Sequence, residues 1–531
     1  MSEFTDNLKK PSRATIIALF IVVVSLLLRL KLALLPLMDS VGMFLADDAF
    51  YYLQIADNIV TGHGVTFDGQ IVTNGFHPLF MLVCIIAQAL FTRMASIYVI
   101  LIFLAIVGAF NTWMLYRLGR EASGEICGIA AAWFWVIHPF PRMIELMGVE
   151  APMAVAFLLL ATYRWMKIRD GEDTRRSWLL LGLLVGLAFL SRTDTIFFAF
   201  PLALHVLIFY RRNLREAAPR FLAAGGVSLA VVAPWLLWNL ATFGRITQDS
   251  GRTLIYTAHA AANQLGAGFF SELAFNARDT LRDGLLKFVS FFNPLWSLIF
   301  VIAVLVVGII LAVESRKSGK PGLWSRASVF LVAGALSWLF YNFVFLHRKN
   351  WYFLLPLAVC ALLIGRVVEM VATRFGNSRN GVAAFLLLLL MLPWSIGSTQ
   401  LQSGGFHPWQ RNYLILATAI RDGQVEEIDK DAVIGSFNAG IYGYFSGHRV
   451  INLDGVVNPN IYDVYKSRAL IQYIREAGID FLLDHKVMFS YYAAPFASES
   501  PVDTFVLVRS FPGGKSAGEI LLLTWKKPKA L

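Results

Sequence analysis

The stretch Ala14–Leu28, ATIIALFIVVVSLLL, carries no charge, and its apolar character continues past Arg29 and Lys31 to Leu37. A helix of about 20 apolar residues is long enough to cross the hydrocarbon core of a bilayer. Three basic residues precede the stretch: Lys9, Lys10 and Arg13. Because basic residues favour the cytoplasmic side of a membrane, we expect a transmembrane helix whose N-terminus is cytoplasmic. No small-residue cleavage site follows it, so we expect this helix to be retained.

The chain as a whole has the composition of a membrane protein. Its 531 residues are 57% hydrophobic and 15% charged, with a mean hydropathy of +0.61. Soluble domains are about 45–50% apolar and about a quarter charged. Further apolar runs lie at 96–116, 125–139, 150–166, 177–191, 195–210, 221–241, 292–313, 327–346, 351–371 and 381–397. We therefore expect a polytopic α-helical membrane protein with about 11 transmembrane helices in the plasma (inner) membrane.

The distribution of Lys and Arg predicts the orientation. The net charge is +11, but the basic residues gather in short loops between apolar runs, which argues against nucleic acid as a partner. They cluster in alternate loops, at 117–120, 164–176, 211–220, 316–326 and 366–379. Placing these clusters in the cytoplasm puts the first outer loop, 38–75, and the C-terminus outside. Phe76–Phe91 would reverse this order if it crossed, so we interpret it as a re-entrant or juxtamembrane helix.

The chain changes character near its C-terminus. Short apolar runs at Ala432–Ile434, Arg449–Gly455 and Ile479–Leu483 alternate with a helical pattern at Ser467–Ala477. Strands that alternate with helical periodicity predict a small soluble α/β domain. We therefore expect a transmembrane catalytic domain at 1–397 and an extracytoplasmic α/β domain at 398–531.

The first outer loop contains two adjacent carboxylates, Asp47 and Asp48, followed by Tyr51. Adjacent carboxylates raise one another's pKa, and partial burial adds to this effect, which suits one of them to act as a general base. A solvated loop whose acids cap a helix starting near Ala49 explains the same residues. Residue types alone leave both interpretations open.

Other charged residues also lie in predicted outer loops. Glu150 stands at the start of an apolar run, where a carboxylate either has a chemical role or favours the helix N-terminus. Cations on the outer side are expected to bind an anionic partner, and both Arg and Lys bind phosphate well. Arg192 is such a cation, although it is also placed to pair with Asp194. The pair Arg348 and Lys349 either binds phosphate or extends to lipid headgroups.

The sequence contains no metal-ligand cluster, no phosphate-binding Gly loop and no Ser/His/Asp signature, so we expect no metal and no cofactor. Two histidines in one loop, His63 and His77, are a weak indication of metal binding. The three cysteines, Cys84, Cys127 and Cys360, lie in apolar runs without metal-ligand spacing.

Several motifs occur in an order that resembles the GT-C superfamily of integral-membrane glycosyltransferases. This superfamily includes protein O-mannosyltransferases, the lipid A aminoarabinose transferase and arabinofuranosyltransferases. The motifs are Asp47-Asp48-Ala-Phe-Tyr-Tyr, Asn74-Gly-Phe-His77-Pro78-Leu, Met147-Gly-Val-Glu150, Leu190-Ser-Arg192-Thr-Asp194, Pro234-Trp235 with Asn239, Phe243-Gly244 and Asn452-Leu-Asp454-Gly-Val-Val-Asn458. The resemblance extends over the whole chain and is specific for the superfamily, not for one subfamily.

This resemblance implies transfer of a sugar from a polyprenyl-phosphate donor, at the outer membrane face and with inversion. The acceptor would be an envelope glycan, lipid or protein. By analogy Asp47 would be the base, Asp48 would orient it, and Glu150 would match a second outer-loop acid. The superfamily's acidic pair is often Asp-Glu, so either aspartate here could be the base. Arg192, Arg348 and Lys349 would hold the donor phosphate. The residues placed at the substrate are Tyr51, His77 and Asp194.

Other functional classes remain open at this point. A lipid-linked glycan ligase would use an outer-loop His and would not need the acidic pair or the terminal domain. A lipid or sugar transporter would place ionisable residues in mid-helix and show internal repeats, and neither feature is clear here. A non-enzymatic envelope scaffold would use the soluble domain for binding.

Overall fold

The computed structural model describes residues 12–264, 323–347, 349–389, 391, 405–498, 504–514 and 518–525. The first of these ranges is almost entirely helical. Its α-helices are α1 Arg13–Ala33, α2 Leu37–Met43, α3 Asp47–Val60, α4 Pro78–Leu90, α5 Arg93–Ala122, α6 Glu125–Ile137, α7 Pro139–Ile144, α8 Ala151–Arg169, α9 Arg175–Ser191, α10 Ile196–Phe209, α11 Leu214–Phe243 and α12 Asp249–Gln264. The helices Leu323–Phe340 and Leu354–Thr373 follow, together with a helix over 379–389.

Five described helices are long and apolar enough to cross a bilayer: Arg13–Ala33, Arg93–Ala122, Leu214–Phe243, Ser325–Phe345 and Asn350–Thr373. Three shorter apolar helices are Pro78–Leu90, Glu125–Ile137 and Thr193–Phe209. Together they agree with a multi-pass membrane protein. The predicted segment 292–313 lies outside the described residues, as does most of the second half of 381–397, so the total of about 11 stays a prediction.

The helix α4 occupies the segment that we interpret as re-entrant or juxtamembrane. It has 13 residues, which corresponds to a length of about 20 Å, whereas a bilayer core is about 30 Å thick. Near its C-terminal end, Gln88 Nε2 donates a hydrogen bond of 2.9 Å to the hydroxyl of Tyr444. This contact ties α4 to the C-terminal part of the chain.

Small residues bring the long helices close together. A Cβ added to Gly182 of α9 would lie 2.1 Å from the carbonyl oxygen of Ala224 on α11, and one added to Gly119 of α5 would lie 3.0 Å from the Cα of Gly128 on α6. Membrane helices gain little from the hydrophobic effect against one another, and their interfaces are enriched in small residues that permit close backbone contact. These two crossings therefore depend on glycine.

A buried ion pair fixes the segment between α7 and α8. Arg29 of α1 donates to Glu145 Oε2 from Nε at 2.7 Å and from Nη2 at 2.5 Å, and both side chains are fully buried. Asn111 Nδ2 of α5 donates to Glu145 Oε1 at 3.0 Å. Two residues later, the carbonyl of Met147 accepts a 3.1 Å hydrogen bond from the amide of Ala46. The ion pair therefore anchors a segment that lies against the start of α3.

The C-terminal part of the chain forms the predicted sheet domain. The described strands are β1 Ile434–Ser436, β2 Val450–Asn452, β3 Phe481–His485, β4 Phe505–Pro512 and β5 Glu519–Trp525, in the order β2-β1-β3-β5-β4. The first three pair in parallel, and the last two form an antiparallel hairpin beside β3. Helices flank the sheet at Gln410–Arg421, Gly440–Phe445, Ile461–Lys466 and Leu470–Glu476. The predicted boundary at 397/398 lies outside the described residues.

The sheet domain shares a hydrophobic core with the segment 38–75. The ring of Phe50, on α3, lies 5.7 Å from the ring of Tyr444 and 5.2 Å from that of Phe445. Arg93, at the start of α5, donates to the carbonyl of Tyr444 at 2.6 Å and to Asp57 at 2.5 Å. The domain is therefore packed onto α3, where the acidic pair lies.

Candidate active site

A cavity of about 130 Å³ lies where the long helices meet α3 and the sheet domain. Its wall combines charged and aromatic side chains from segments far apart in sequence. The residues that line it include Asp48, Tyr51, Tyr52, His77, Glu150, Arg192, Gln248, Tyr341, Trp351 and Tyr352. The sheet domain contributes Val456. Most of the residues expected at a site from the sequence are therefore brought together.

Of the two adjacent aspartates, Asp48 lines the cavity and Asp47 does not. The Asp48 carboxylate oxygen Oδ1 lies 3.6 Å from the ammonium of Lys349. The Asp48 side chain is 22% exposed and that of Lys349 33% exposed. Burial lowers the pKa of Lys349, but the carboxylates of Asp48, Asp454 and Asp47 together outweigh burial, and the pKa lies above its usual value. Lys349 is therefore a charged partner of Asp48.

Asp47 points away from the cavity, into the sheet domain. Its two carboxylate oxygens accept hydrogen bonds from the backbone amides of Gly440 at 3.0 Å and Ile441 at 2.7 Å, at the start of the helix Gly440–Phe445. A Cβ at position 440 would lie 2.2 Å from the Asp47 carbonyl oxygen, so this approach requires glycine. Asp47 is 3% exposed. Burial raises its pKa to about 7, although the Ile441 amide opposes this shift.

Glu150 accepts hydrogen bonds from two side chains, and a third side chain lies close to it. Arg192 Nη1 donates to Glu150 Oε1, and the hydroxyl of Tyr52 donates to Glu150 Oε2 at 2.8 Å. The third is His77, whose Nε2 lies 3.7 Å from Glu150 Oε1. The backbone amide of His77 in turn donates to the Tyr52 hydroxyl at 3.0 Å. Burial lowers the pKa of His77, so its imidazole is neutral near pH 7.

The guanidinium of Arg192 faces two carboxylates. Besides Glu150, it donates to Asp194 from Nε at 3.1 Å and from Nη2 at 3.0 Å. The hydroxyl of Tyr341 accepts from Arg192 Nη2 at 2.9 Å and donates to Asp194 at 2.5 Å. One positive charge is thus set against two negative charges. Arg192 therefore pairs with Asp194, which is one of the two interpretations of its sequence position. Because two carboxylates already offset its charge, Arg192 attracts a phosphate less strongly.

The sheet domain holds Tyr51 in place. Its hydroxyl donates to the carbonyl of Phe437 at 3.3 Å and accepts from the amide of Ala439 and from Asn452 Nδ2, both at 3.1 Å. The Tyr51 side chain is buried and forms part of the cavity wall. One wall of the cavity therefore depends on the sheet domain.

Arg348 lies outside the described residues, so its place at the phosphate stays a prediction. Several lining residues were not expected at the site from the sequence, among them Tyr52, Gln248 and Tyr341. Tyr52 follows Tyr51 directly and could have been included on that ground. Gln248 bonds to the carbonyl of Phe76 at 2.5 Å, a contact that no local pattern indicates. In the described ranges, no group of three or more His, Cys, Asp or Glu side chains is arranged to hold a metal ion.

Two family models match parts of the chain. The model described as dolichyl-phosphate-mannose-protein mannosyltransferase matches residues 77–238. A domain of unknown function matches residues 410–522, which contain most of the sheet. No curated protein sequence matches the chain.

Solved membrane enzymes have a similar structure. The oligosaccharyltransferase of Archaeoglobus fulgidus in complex with Zn and sulfate is 15% identical with a TM-score of 0.59, over 94% of this chain and 72% of that one. The oligosaccharyltransferase AglB from Archaeoglobus fulgidus, in complex with an inhibitory peptide and a dolichol-phosphate, is 15% identical with a TM-score of 0.54, over 96% of this chain and 74% of that one. ArnT from Cupriavidus metallidurans bound to undecaprenyl phosphate is 9% identical with a TM-score of 0.54, over 94% of this chain and 97% of that one. The chain therefore has the fold of the GT-C membrane glycosyltransferases, as its sequence motifs indicate.

Proposed function

We propose that the chain transfers a sugar from a polyprenyl-phosphate donor to an acceptor hydroxyl, with inversion, at the outer face of the plasma (inner) membrane. The acceptor is an envelope glycan, lipid or protein. The observation that carries the proposal is that Asp48 lines a cavity between membrane helices and the sheet domain and has the ammonium of Lys349 as its ion-pair partner. A lipid-borne donor and a water-borne acceptor can both reach such a junction.

The similar structures support the class of donor. ArnT is bound to undecaprenyl phosphate and AglB to a dolichol-phosphate, and the matching family model is named for dolichyl-phosphate-mannose. All three names contain a sugar carrier or leaving group of one chemical kind, a long isoprenoid that ends in phosphate. We propose a donor of this kind for this chain.

Asp48, not Asp47, is the base in this proposal. A general base must come within hydrogen-bond reach of the proton that it removes. Asp48 lines the cavity, whereas both carboxylate oxygens of Asp47 are directed to backbone amides of the sheet domain. The raised pKa of Asp47 suits a base, but its position does not. The residue that the sequence resemblance favours is thus given a structural role here.

Lys349 binds the phosphate of the donor. Phosphate gains negative charge as the bond to the sugar breaks, and a cation placed beforehand stabilises that charge. Arg192 makes ion pairs with two carboxylates, Glu150 and Asp194, whereas the one ion pair of Lys349 with a described residue is with Asp48, at 3.6 Å. When the phosphate replaces Asp48 as the ion-pair partner of Lys349, the Asp48 carboxylate is available to accept a proton. Glu150, His77 and Tyr51 shape the space for the sugar.

The proposed transfer is a displacement at the anomeric carbon of the sugar. The acceptor hydroxyl gives its proton to Asp48, and its oxygen forms a bond with the anomeric carbon of the sugar. The bond from that carbon to the phosphate oxygen breaks, and its electron pair leaves with the polyprenyl phosphate. Attack from the side opposite the leaving phosphate inverts the anomeric configuration.

Membranes that contain the full chain test the proposal. They are supplied with polyprenyl phosphates that carry radiolabelled hexoses or pentoses, one at a time, and the label that leaves the lipid fraction is measured. We expect one donor to lose label to an acceptor, and we expect Asp48→Asn to abolish most of this transfer. Asp431→Asn, an exposed acid in the sheet domain, is the control. If no donor loses label beyond the level in membranes without the chain, the proposal is wrong.

A further inference from the structure

His77 is fixed at the cavity wall through both its backbone and its ring. Its backbone amide donates to the hydroxyl of Tyr52 at 3.0 Å, and the proline that follows it favours the extended backbone in which it lies. Gln248 Nε2 lies 3.4 Å from His77 Nδ1 and 2.5 Å from the carbonyl oxygen of Phe76. Since His77 and Gln248 both line the cavity, the imidazole has a defined orientation there.

The contact with Gln248 decides which ring nitrogen of His77 carries the proton. A carbonyl oxygen can only accept, so the atom of Gln248 that bonds to Phe76 is the amide nitrogen. The other atom, Oε1, accepts from Thr193 Oγ1 at 3.4 Å, which agrees with this assignment. An amide nitrogen can only donate, so Nδ1 of His77 accepts from it. In a neutral imidazole the proton is then on Nε2.

The Nε2–H group of His77 has no hydrogen-bond acceptor within the described ranges of the chain. Glu150 Oε1 lies 3.7 Å away, which is beyond hydrogen-bond distance. This oxygen accepts from Arg192 Nη1, and a carboxylate oxygen can accept a second hydrogen bond. The cavity wall therefore presents an unpaired N–H donor beside a carboxylate acceptor.

We propose that His77 and Glu150 together bind one hydroxyl group of the donor sugar, and so select a sugar that has a neutral hydroxyl at that carbon. A hydroxyl can accept from Nε2–H and donate to Glu150 Oε1 at the same time. A methylene group would leave the N–H unpaired, and an ammonium has no lone pair to offer it. An anionic group would be repelled by Glu150. Gln248 is the positioning residue that directs Nε2–H to the sugar. This inference rests on the proposed function.

Monodeoxy analogues of the donor test the site in the wild type. The parent donor is the polyprenyl-phosphate sugar that loses label in the transfer experiment, and each analogue lacks one hydroxyl of its sugar. A site that hydrogen-bonds a substrate hydroxyl discriminates against the analogue without it, because its own polar groups are then left unpaired. We expect one analogue to lose about 10²-fold in kcat/KM relative to the parent donor.

Variants of His77 test whether this residue causes the discrimination. In His77→Leu the parent donor should lose about 10²-fold in kcat/KM, and the ratio between parent and analogue should fall to near one. His77→Gln should restore most of the ratio, because its amide nitrogen reaches about as far as Nε2, whereas the shorter side chain of His77→Asn should not. His63→Leu, at an exposed histidine in the segment 38–75, should discriminate as the wild type does.

The opposite results would overturn the inference. A wild type that uses every monodeoxy analogue as well as the parent donor binds no hydroxyl in this way. Discrimination that persists in folded His77→Leu belongs to other residues, and His77→Gln that discriminates no better than His77→Asn rules out Nε2 as the donor. If His77→Leu does not fold, the wild-type series and His77→Gln still decide. Transfer without discrimination refutes the inference alone, whereas no transfer from any donor refutes the proposed function and the inference with it.

Discussion

The carboxylate of Asp47 accepts a hydrogen bond of 3.0 Å from the backbone amide of Gly440, 393 residues further along the chain. Asp47 is the first residue of α3, and Gly440 is the first residue of a helix in the sheet domain. Because Asp48 follows Asp47 directly, this bond fixes the turn of α3 from which Asp48 faces the cavity. The sheet domain thereby sets the orientation of the proposed base.

Asp47→Ala should therefore weaken the fold more than the chemistry. The change leaves two buried amides without an acceptor, which costs about 1–3 kcal/mol for each group. We expect a lower unfolding temperature, with transfer per folded molecule staying within about tenfold of the wild type. Thermal unfolding and transfer are measured on the same preparation. Asp39→Ala, an exposed acid in the same loop, is the control. A well-folded Asp47→Ala protein without transfer would make Asp47 the base.

The contribution of Asp47 and Asp454 to the stability of the fold should fall as the pH rises from about 4 to about 7. Burial raises the pKa of Asp47 and of Asp454 from 3.8 to about 7. In this window the folded chain keeps protons that the unfolded chain has lost, so each group stabilises the fold below pH 4 and loses that contribution by pH 7. The linked change is at most about 4 kcal/mol for each group.

Unfolding temperatures in detergent between pH 4 and pH 8 test this dependence. Asp454→Asn removes one of these groups, so its unfolding temperature should fall less between pH 4 and pH 7 than that of the wild type. Asp431→Asn serves as the control. Equal slopes in the wild type and in Asp454→Asn would show that Asp454 does not titrate in this window.

Substitutions of Arg29 and Glu145 should have strongly non-additive effects on the stability of the fold. Breaking a buried pair costs about 3–5 kcal/mol, because the remaining charge has no partner, whereas replacing both members by apolar residues is often neutral. We expect Arg29→Met and Glu145→Leu each to lower the unfolding temperature, and the double variant to recover most of the loss. Additive losses in the double variant would contradict a paired role. Ser25, a partner of Arg29 Nη1 at 2.6 Å, gives a milder control as Ser25→Ala.

Cysteine labelling in intact cells tests the orientation. Asp431 and Arg176 are exposed and lie on opposite sides of the membrane in the predicted topology. We expect a membrane-impermeant maleimide to label Asp431→Cys and to reach Arg176→Cys only after lysis. Cys84 and Cys127 are buried and should contribute little background. The reverse labelling pattern would put the sheet domain in the cytoplasm and contradict an outer-face site.

The sequence was sufficient for the helical membrane architecture, because long apolar runs have few alternative structures. It also indicated, through its motifs, the acidic pair and the loop around Asp454. It could not decide between Asp47 and Asp48, since adjacent residues on a helix point in directions about 100° apart. The partner that occupies Asp47 is Gly440, and nothing local to either residue indicates this contact.

Other features went unnoticed for similar reasons. Arg29 was part of the first apolar run, and its partner Glu145 lies in a loop more than 100 residues later. The hairpin of β4 and β5 was missed, although two runs rich in Val, Leu and aromatic residues flank Gly513 and Gly514 and favour that structure. The ion pair is a long-range contact that a single sequence does not contain, whereas the hairpin has a local sequence signal.

Transfer by Asp48→Asn, compared with Asp47→Asn, tests the central claim most directly. Both are measured at saturating donor, per folded molecule, beside undecaprenyl phosphate binding. General-base catalysis is typically worth roughly 10²–10⁴-fold, so Asp48→Asn should lose about that much transfer while it still binds the lipid. Asp47→Asn should stay within about tenfold of the wild type. Transfer at the wild-type rate by Asp48→Asn, together with a loss of about 10²-fold or more in Asp47→Asn, would contradict the assignment of Asp48 as the base.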